Sequence, residues 1–363
     1  FCSSEIAANP INNFLEARDA FRQGNEKKLI KVSKKLKQHP LYPYLEYWII
    51  RLRINELKEK RLTAFFQKYP QSFMSQKLHE DWLHTLARKK QWQKYIETYK
   101  RLNKKNTDLK CLFFLAKSAT GQLPNSSEAK SIWHSSSSQP TVCTRLFKLQ
   151  FKNKILNEQD IWRRFRISLE ANNYKIARAA LSYLPKDDLP NGWILERISK
   201  NPQKYFQLKP KSYGDKEILI FAIYKAALNS PLEAAKKLST IEHLLSKAQR
   251  NYAWGQVGYM AALSHHKNAL SWFDKVPTFL LTQNQKAWKV RAALREKQWK
   301  EVINTIGAME KTHESKVTWQ FWRGYSLLKK KEFKQADKIF TNLSAYDNFY
   351  GTMSAEILNI EQK

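Results

Sequence analysis

The stretch Trp319-Gln-Phe-Trp-Arg-Gly-Tyr-Ser-Leu-Leu-Lys-Lys-Lys-Glu-Phe-Lys-Gln-Ala-Asp-Lys-Ile-Phe340, closed by Asn348-Phe-Tyr-Gly-Thr-Met-Ser-Ala-Glu-Ile-Leu358, decides how the rest of the chain is read. Gly324, Leu327, Phe333, Ala336 and Phe340 place small and large residues at helical spacing. That predicts two antiparallel helices, with the small positions allowing close approach and the large ones filling the groove between them. The same marks recur upstream. Ala269, Val302 and Ala336 are spaced by 33 and 34 residues, Phe273, Ile306 and Phe340 by the same steps, and Trp299 precedes Phe333 by 34. A period of this length is that of stacked helical pairs, each too small to bury its apolar face without its neighbours.

The C-terminal third therefore reads as a tetratricopeptide-like solenoid, and composition extends the all-α reading to the rest. Gly is scarce at 9 residues and the 12 Pro are scattered singly, so Asn-Gly type hairpin turns are absent and a β-rich fold is disfavoured. With 12 Trp, 16 Tyr and 19 Phe the chain has the bulk to pack helix on helix, which excludes a disordered basic tail. A helical solenoid can use all 363 residues as one quasi-linear domain, 1–363, with a subdivision allowed between Asn201 and Gly214, where Pro202 and Pro210 loosen the pattern. The formal net charge of +32 implies a polyanionic setting such as nucleic acid, acidic lipid or an acidic cell-wall polymer, set against the plainer reading of Lys-decorated solvated helix faces. No apolar run reaches the roughly 18 residues that a membrane helix needs. The sequence begins at Phe1 without Met, which reads as a processed or trimmed N-terminus with its signal peptide removed; Cys2 is taken as a free thiol, since the bulky Phe1 argues against a lipoprotein cleavage site.

Along the chain, Phe14, Ala17 and Phe21, then Leu29, Val32 and Leu36, predict two short helices broken at Gln23-Gly24-Asn25. The run His39-Pro-Leu-Tyr-Pro-Tyr-Leu-Glu-Tyr47 predicts aromatics packed across a helix junction. Helical patterns follow over Leu62–Lys68, Gln76–Arg88, Trp92–Leu102 and the apolar Leu109–Ser118, then a short helix around Trp133 between loops. Asn157 with Asp160 reads as an N-cap, and Ser230-Pro-Leu-Glu233 as a full capping box with Pro at the first helical position.

Several of these segments resemble one family. His39-Pro-Leu-Tyr-Pro-Tyr-Leu-Glu-Tyr47, the contexts of Cys111 and Cys143, the Trp319 to Phe340 hairpin and the terminal Phe349-Tyr-Gly351 resemble the soluble lytic murein transglycosylases, over nearly the whole chain. The resemblance implies the family's N-terminal domain, a superhelix of helical pairs bent into a U or partial ring, without its linker domain or its lysozyme-like catalytic domain. It implies a periplasmic setting, glycan strands of peptidoglycan as partner, cell-wall proteins as further partners on the concave face, and a parent reaction that cleaves glycosidic bonds to 1,6-anhydromuramyl products. In the periplasm Cys111 and Cys143 would form a disulfide, the alternative being two buried thiols.

The family's catalytic acid is a Glu in a Glu-Ser dipeptide. Glu314-Ser315 has that order, but it sits between Lys311 and Lys316 on a predicted solenoid connection, and no Gly-Leu-Met-Gln type segment follows. A glycosidase acid needs a raised pKa in an apolar cleft, so no residue here is assigned as catalytic. His79 and His84 are five apart and do not share a helix face, the adjacent His265 and His266 read as a solvated pair, and no glycine-rich phosphate loop occurs; no metal or other cofactor is expected. Lys27-Lys28, Lys34-Lys35, Lys89-Lys90, Lys104-Lys105, Arg163-Arg164 and Lys329-Lys-Lys331 lie near aromatics in a manner that single-stranded nucleic acid would use, yet helix packing accounts for most of the same rings. Nucleic acid therefore ranks below two other readings: a glycan-guiding scaffold first, a stand-alone helical-repeat adaptor second.

Overall fold

The computed structural model describes residues 10–102, 105–122, 126–185 and 189–361; Cys2, Lys104 and Lys363 lie outside them. No strand occurs among the described residues. Two compact units form, residues 1–176 and 177–363. The first holds α1 (Pro10–Arg22), α2 (Glu26–Ser33), α3 (Tyr42–Leu52), α4 (Glu59–Lys68), α5 (Phe73–Arg88), α6 (Trp92–Lys100), α7 (Thr107–Ala119), α8 (Ser126–Trp133), α9 (Thr141–Lys152) and α10 (Glu158–Glu170), and ends within α11 (Tyr174–Leu181). The second continues with α12 (Leu195–Lys200), α13 (Tyr213–Ala227), α14 (Pro231–Ile241), α15 (Lys247–Leu263), α16 (Ala269–Phe273), α17 (Gln283–Arg295), α18 (Trp299–Gly307), α19 (Lys311–Glu314), α20 (Val317–Lys329), α21 (Phe333–Ser344) and α22 (Phe349–Leu358).

The repeat positions read from sequence are the core of the second unit. Ala269, Val302 and Ala336, and with them Phe273, Ile306 and Phe340, are completely buried. A Cβ built on Gly324 would come within 3.0 Å of the Phe340 ring, and one on Gly258 within 3.0 Å of Phe273, so the same glycine-on-aromatic contact serves two hairpins. Helix α13 buries almost every residue from Gly214 to Ala227, as a helix apolar all round must. Phe333 departs from the expectation. It is exposed, because its repeat mate Trp299 is covered by Tyr325 of a following helix, whereas no described ring covers Phe333.

In the first unit, Phe14 and Phe21 of α1 meet Trp48 of α3 with ring centroids 5.3 Å apart in both pairs, and Phe14 also reaches His39 and Tyr44. The proline-rich run thus packs across a junction.

Caps fix where helices begin. Asn157 Oδ1 accepts from the Asp160 N–H and Asp160 Oδ2 from the Asn157 N–H, a reciprocal box. Ser212 with Asp215, Ser246 with Gln249 and Thr282 with Gln285 repeat it. The Ser230 box is only half made. Ser230 Oγ accepts from Glu233 N–H, but the Ser230 N–H is already donated to Ala226 at 2.9 Å at the end of α13, and the Glu233 carboxylate pairs with Lys236 instead.

The hairpin turns share one device that needs no glycine. Lys90, Lys154, Asn172, His265, Lys297 and Lys331 take positive φ just past a helix end, where Gly24 and Gly121 do so elsewhere. In each case the next N–H reaches a carbonyl on the last turn of the preceding helix, as in Glu332 to Leu327 at 2.9 Å, which closes the Schellman pattern.

Candidate functional site

Helix α7 is clamped from both sides. Its N-cap Asn106 accepts from Leu109 N–H at 2.9 Å, and the buried Tyr95 hydroxyl of α6 donates to the Leu109 carbonyl at 2.9 Å. Cys111 is joined to Cys143 of α9, with Cα atoms 5.2 Å apart and both residues fully buried. The clamp leaves two other faces of α7 lining clefts.

The first cleft, 710 Å³, takes Thr107, Lys110, Phe113 and Lys117 from one stripe of α7, Tyr99 and Lys100 from α6, Lys105, and hydroxyls from the loop after α8. Its floor is a ring pair: Tyr99 and Phe113 stack at 4.2 Å and 17°. Lys105 Nζ lies 4.9 Å from the Tyr99 centroid and Lys117 Nζ 5.0 Å from that of Phe113, so each ring holds an ammonium over its electron-rich face. Burial, and after it the nearby Glu128 carboxylate, pushes the Tyr99 phenol up to about 12, which keeps it a neutral donor. Glu128 is the one carboxylate among the described lining residues, and no ion-pair partner is found for Lys100, Lys105, Lys110 or Lys117 among the described residues.

The second cleft, 1010 Å³, lies against Asp108, Leu112, Leu115 and Ala119 of α7. Arg145, Lys148 and Lys152 form a stripe on α9, and Arg88 and Lys90 come from the end of α5. Asp108 is the lone acid among the described lining residues, 3.5 Å from His84 Nε2. Both clefts thus present several cations to one carboxylate over apolar walls. Such an arrangement can bind and orient an anionic chain, and it offers no paired carboxylates for acid and base chemistry among the described residues.

The other residues singled out in the sequence lie elsewhere. Glu314 closes the one-turn helix α19 and accepts from Arg323 Nη1 at 2.8 Å, while its carbonyl accepts from Gln320. Its carboxylate is thus half-buried in an ion pair, not free on a loop. His79 stacks on Phe66 at 3.5 Å with Nδ1 2.9 Å from the Ser75 carbonyl, and burial lowers its pKa. His84 turns toward Asp108, so the two histidines serve different partners. His265 and His266 are not the solvated pair expected: His266 stacks on Trp272 at 4.9 Å and its Nδ1 accepts from Asn268 N–H, and only His265 is exposed. No group of three His, Cys, Asp or Glu able to hold a metal occurs among the described residues, and no described helix is long and apolar enough to cross a membrane. The Tyr99–Phe113 stack went unseen in the sequence because its rings stand on successive helices; the Lys110, Phe113, Lys117 stripe was its available signal.

No protein-family model matches the chain. In sequence it is 21% identical over 337 residues to the soluble lytic murein transglycosylase of Escherichia coli K12, covering 90% of this chain and 52% of that protein. The Salmonella typhimurium soluble lytic murein transglycosylase is 26% identical over 153 residues, 42% of this chain and 24% of that one. In structure, the lytic transglycosylase Slt of Pseudomonas aeruginosa, an inactive mutant, superposes with a TM-score of 0.65 at 21% identity over 97% of this chain and 58% of that one. The 70 kDa soluble lytic transglycosylase of Escherichia coli gives 0.52 at 19% identity over 98% and 58%. The chain spans about half the length of the first of these curated relatives. Over almost its whole length the all-helical chain is similar in sequence and fold to about half of a soluble lytic murein transglycosylase.

Proposed function

We propose that this chain is a non-catalytic helical scaffold that binds and guides the acidic glycan strands of peptidoglycan in the periplasm, as part of a lytic transglycosylase system. The observation that carries the reading is the pair of α7 clefts, whose Lys and Arg side chains surround apolar and aromatic walls in a chain similar to murein-cleaving enzymes. A strand of alternating aminosugars bears carboxylates at regular intervals. Cations held over rings are positioned before the strand arrives, which lowers the ordering cost of binding. The charge excess also draws anionic polymer toward the surface and fades as salt screens it. Any cleavage to 1,6-anhydromuramyl ends belongs, in this reading, to a catalytic partner domain.

The test is the double substitution Lys110→Glu and Lys117→Glu, assayed by sedimentation with isolated peptidoglycan sacculi. Both side chains are on the surface of α7, so the fold is expected to persist. Reversing two charges at the cleft is expected to weaken binding by tenfold or more at low salt, on the order of 0.5–1 kcal/mol for each ammonium–carboxylate pair removed, plus repulsion. Undiminished binding would rule the first cleft out as the strand's seat.

A further inference from the structure

Trp288 of α17, Trp299 at the start of α18 and Trp322 of α20 line one groove of 470 Å³ together with Arg291, Arg295 and His265. These indoles differ from the three most deeply buried tryptophans of the chain. Trp133, Trp162 and Trp254 are fully buried and each donates its indole N–H to a protein oxygen. Trp288, Trp299 and Trp322 are half-buried, and no acceptor for their N–H groups is found among the described residues. Their orientation is nonetheless fixed. Tyr325 meets Trp299 and Trp322 edge-on, both at 5.8 Å. Arg291 is held between Trp288 and Trp319, 5.0 and 5.1 Å from their centroids, and Arg295 Nη2 approaches the Ala262 carbonyl at 3.4 Å. No carboxylate lines the groove among the described residues.

From this geometry we infer that the tryptophan groove is a second binding site, for sugar rings of a carboxylate-bearing, N-acetylated glycan. The inference rests on the reading of the chain as glycan-binding and adds a site separate from the α7 clefts. A pyranose ring has an apolar face of axial C–H bonds, slightly positive, that matches the negative face of an indole. The indole N–H groups suit acetamido carbonyls and ring hydroxyls, without which they would be left unsatisfied on burial. The two guanidiniums, immobilised by rings and a carbonyl, keep donors for a carboxylate. The α7 clefts supply mainly charge; this groove supplies stacking and so binding that persists at high salt.

The experiment uses the whole chain and soluble, uncrosslinked strands of alternating N-acetylglucosamine and N-acetylmuramic acid, followed by tryptophan fluorescence and calorimetry in 0.5 M salt. Trp288→Ala and Trp322→Ala are each expected to weaken binding about fivefold, the size of one stacking interaction removed. Arg295→Glu, on the exposed rim, keeps the test open should an indole variant fail to fold, and is expected to weaken binding at least as much. Strand binding that all three variants retain in full overturns the groove while leaving the scaffold reading intact. A wild-type chain that binds no strand at 0.5 M salt overturns the groove, and one that binds none at about 0.05 M salt either overturns both. Oligo(dT) that displaces the strand and loses affinity in the same variants assigns the groove to nucleic-acid bases and overturns the sugar assignment.

Discussion

Asp160 shows how one side chain joins two helices. Its Oδ2 caps α10 at Asn157 N–H and takes Lys130 Nζ at 3.1 Å, its Oδ1 meets His134 Nε2 at 2.9 Å, and its carbonyl accepts the Trp133 indole N–H at 2.8 Å. Two effects compete at His134. Burial, with Arg163 second, lowers its pKa, and the Asp160 carboxylate opposes; burial wins, so the imidazole is held neutral and donates Nε2–H. A histidine whose folded pKa is depressed contributes stability that is complete above its ordinary value near 6.5 and is lost as pH falls through the folded pKa. The expected outcome is a His134 ring titration, followed by NMR, with its midpoint below 6.5. A midpoint above 6.5 would mean that the carboxylate outweighs burial.

At the scale of elements, the Cys111–Cys143 link pins α7 to α9 beside both clefts. Closing 32 residues contributes roughly 3 to 4 kcal/mol on the chain-entropy model. The protein purified from an oxidising compartment is expected to melt several degrees lower after reduction, with cleft binding weakened as α7 loosens; an unchanged melt would show two thiols in place of a bond. The repeat positions were legible in the sequence because Ala269, Val302 and Ala336 must all be small or branched to sit at the same helix contact. Boundaries were legible where the capping residues were local, at Asn157 and Asp160 and equally at Ser230 and Pro231; only the second half of the Ser230 box was misread, because the Ser230 N–H is satisfied from the previous helix. The turns hid themselves. Lysine at Lys90, Lys154, Lys297 and Lys331 stands where glycine is the usual residue, at a cost of about 1 kcal/mol each, so no local signature marks the left-handed position.

For the molecule as a whole, an all-helical repeat was readable from spacing alone, while the clefts were not. Tyr99 and Phe113 become a platform, and Lys100, Lys105, Lys110 and Lys117 a cluster, only when α6 packs on α7. A net charge of +32 raised the question of a polyanion; in the proposed reading the lysines held over the Tyr99 and Phe113 rings are where it would sit. The central claim is that this chain holds acidic glycan strands without cleaving them. Sedimentation of the purified chain with isolated sacculi across a salt series, with released anhydromuropeptides assayed in the same tubes, tests it most directly. Binding is expected to fall as salt rises from about 0.05 to 0.5 M, where the screening length drops below about 5 Å, with no released product. Release of anhydromuropeptides, or no sedimentation at any salt, would contradict it.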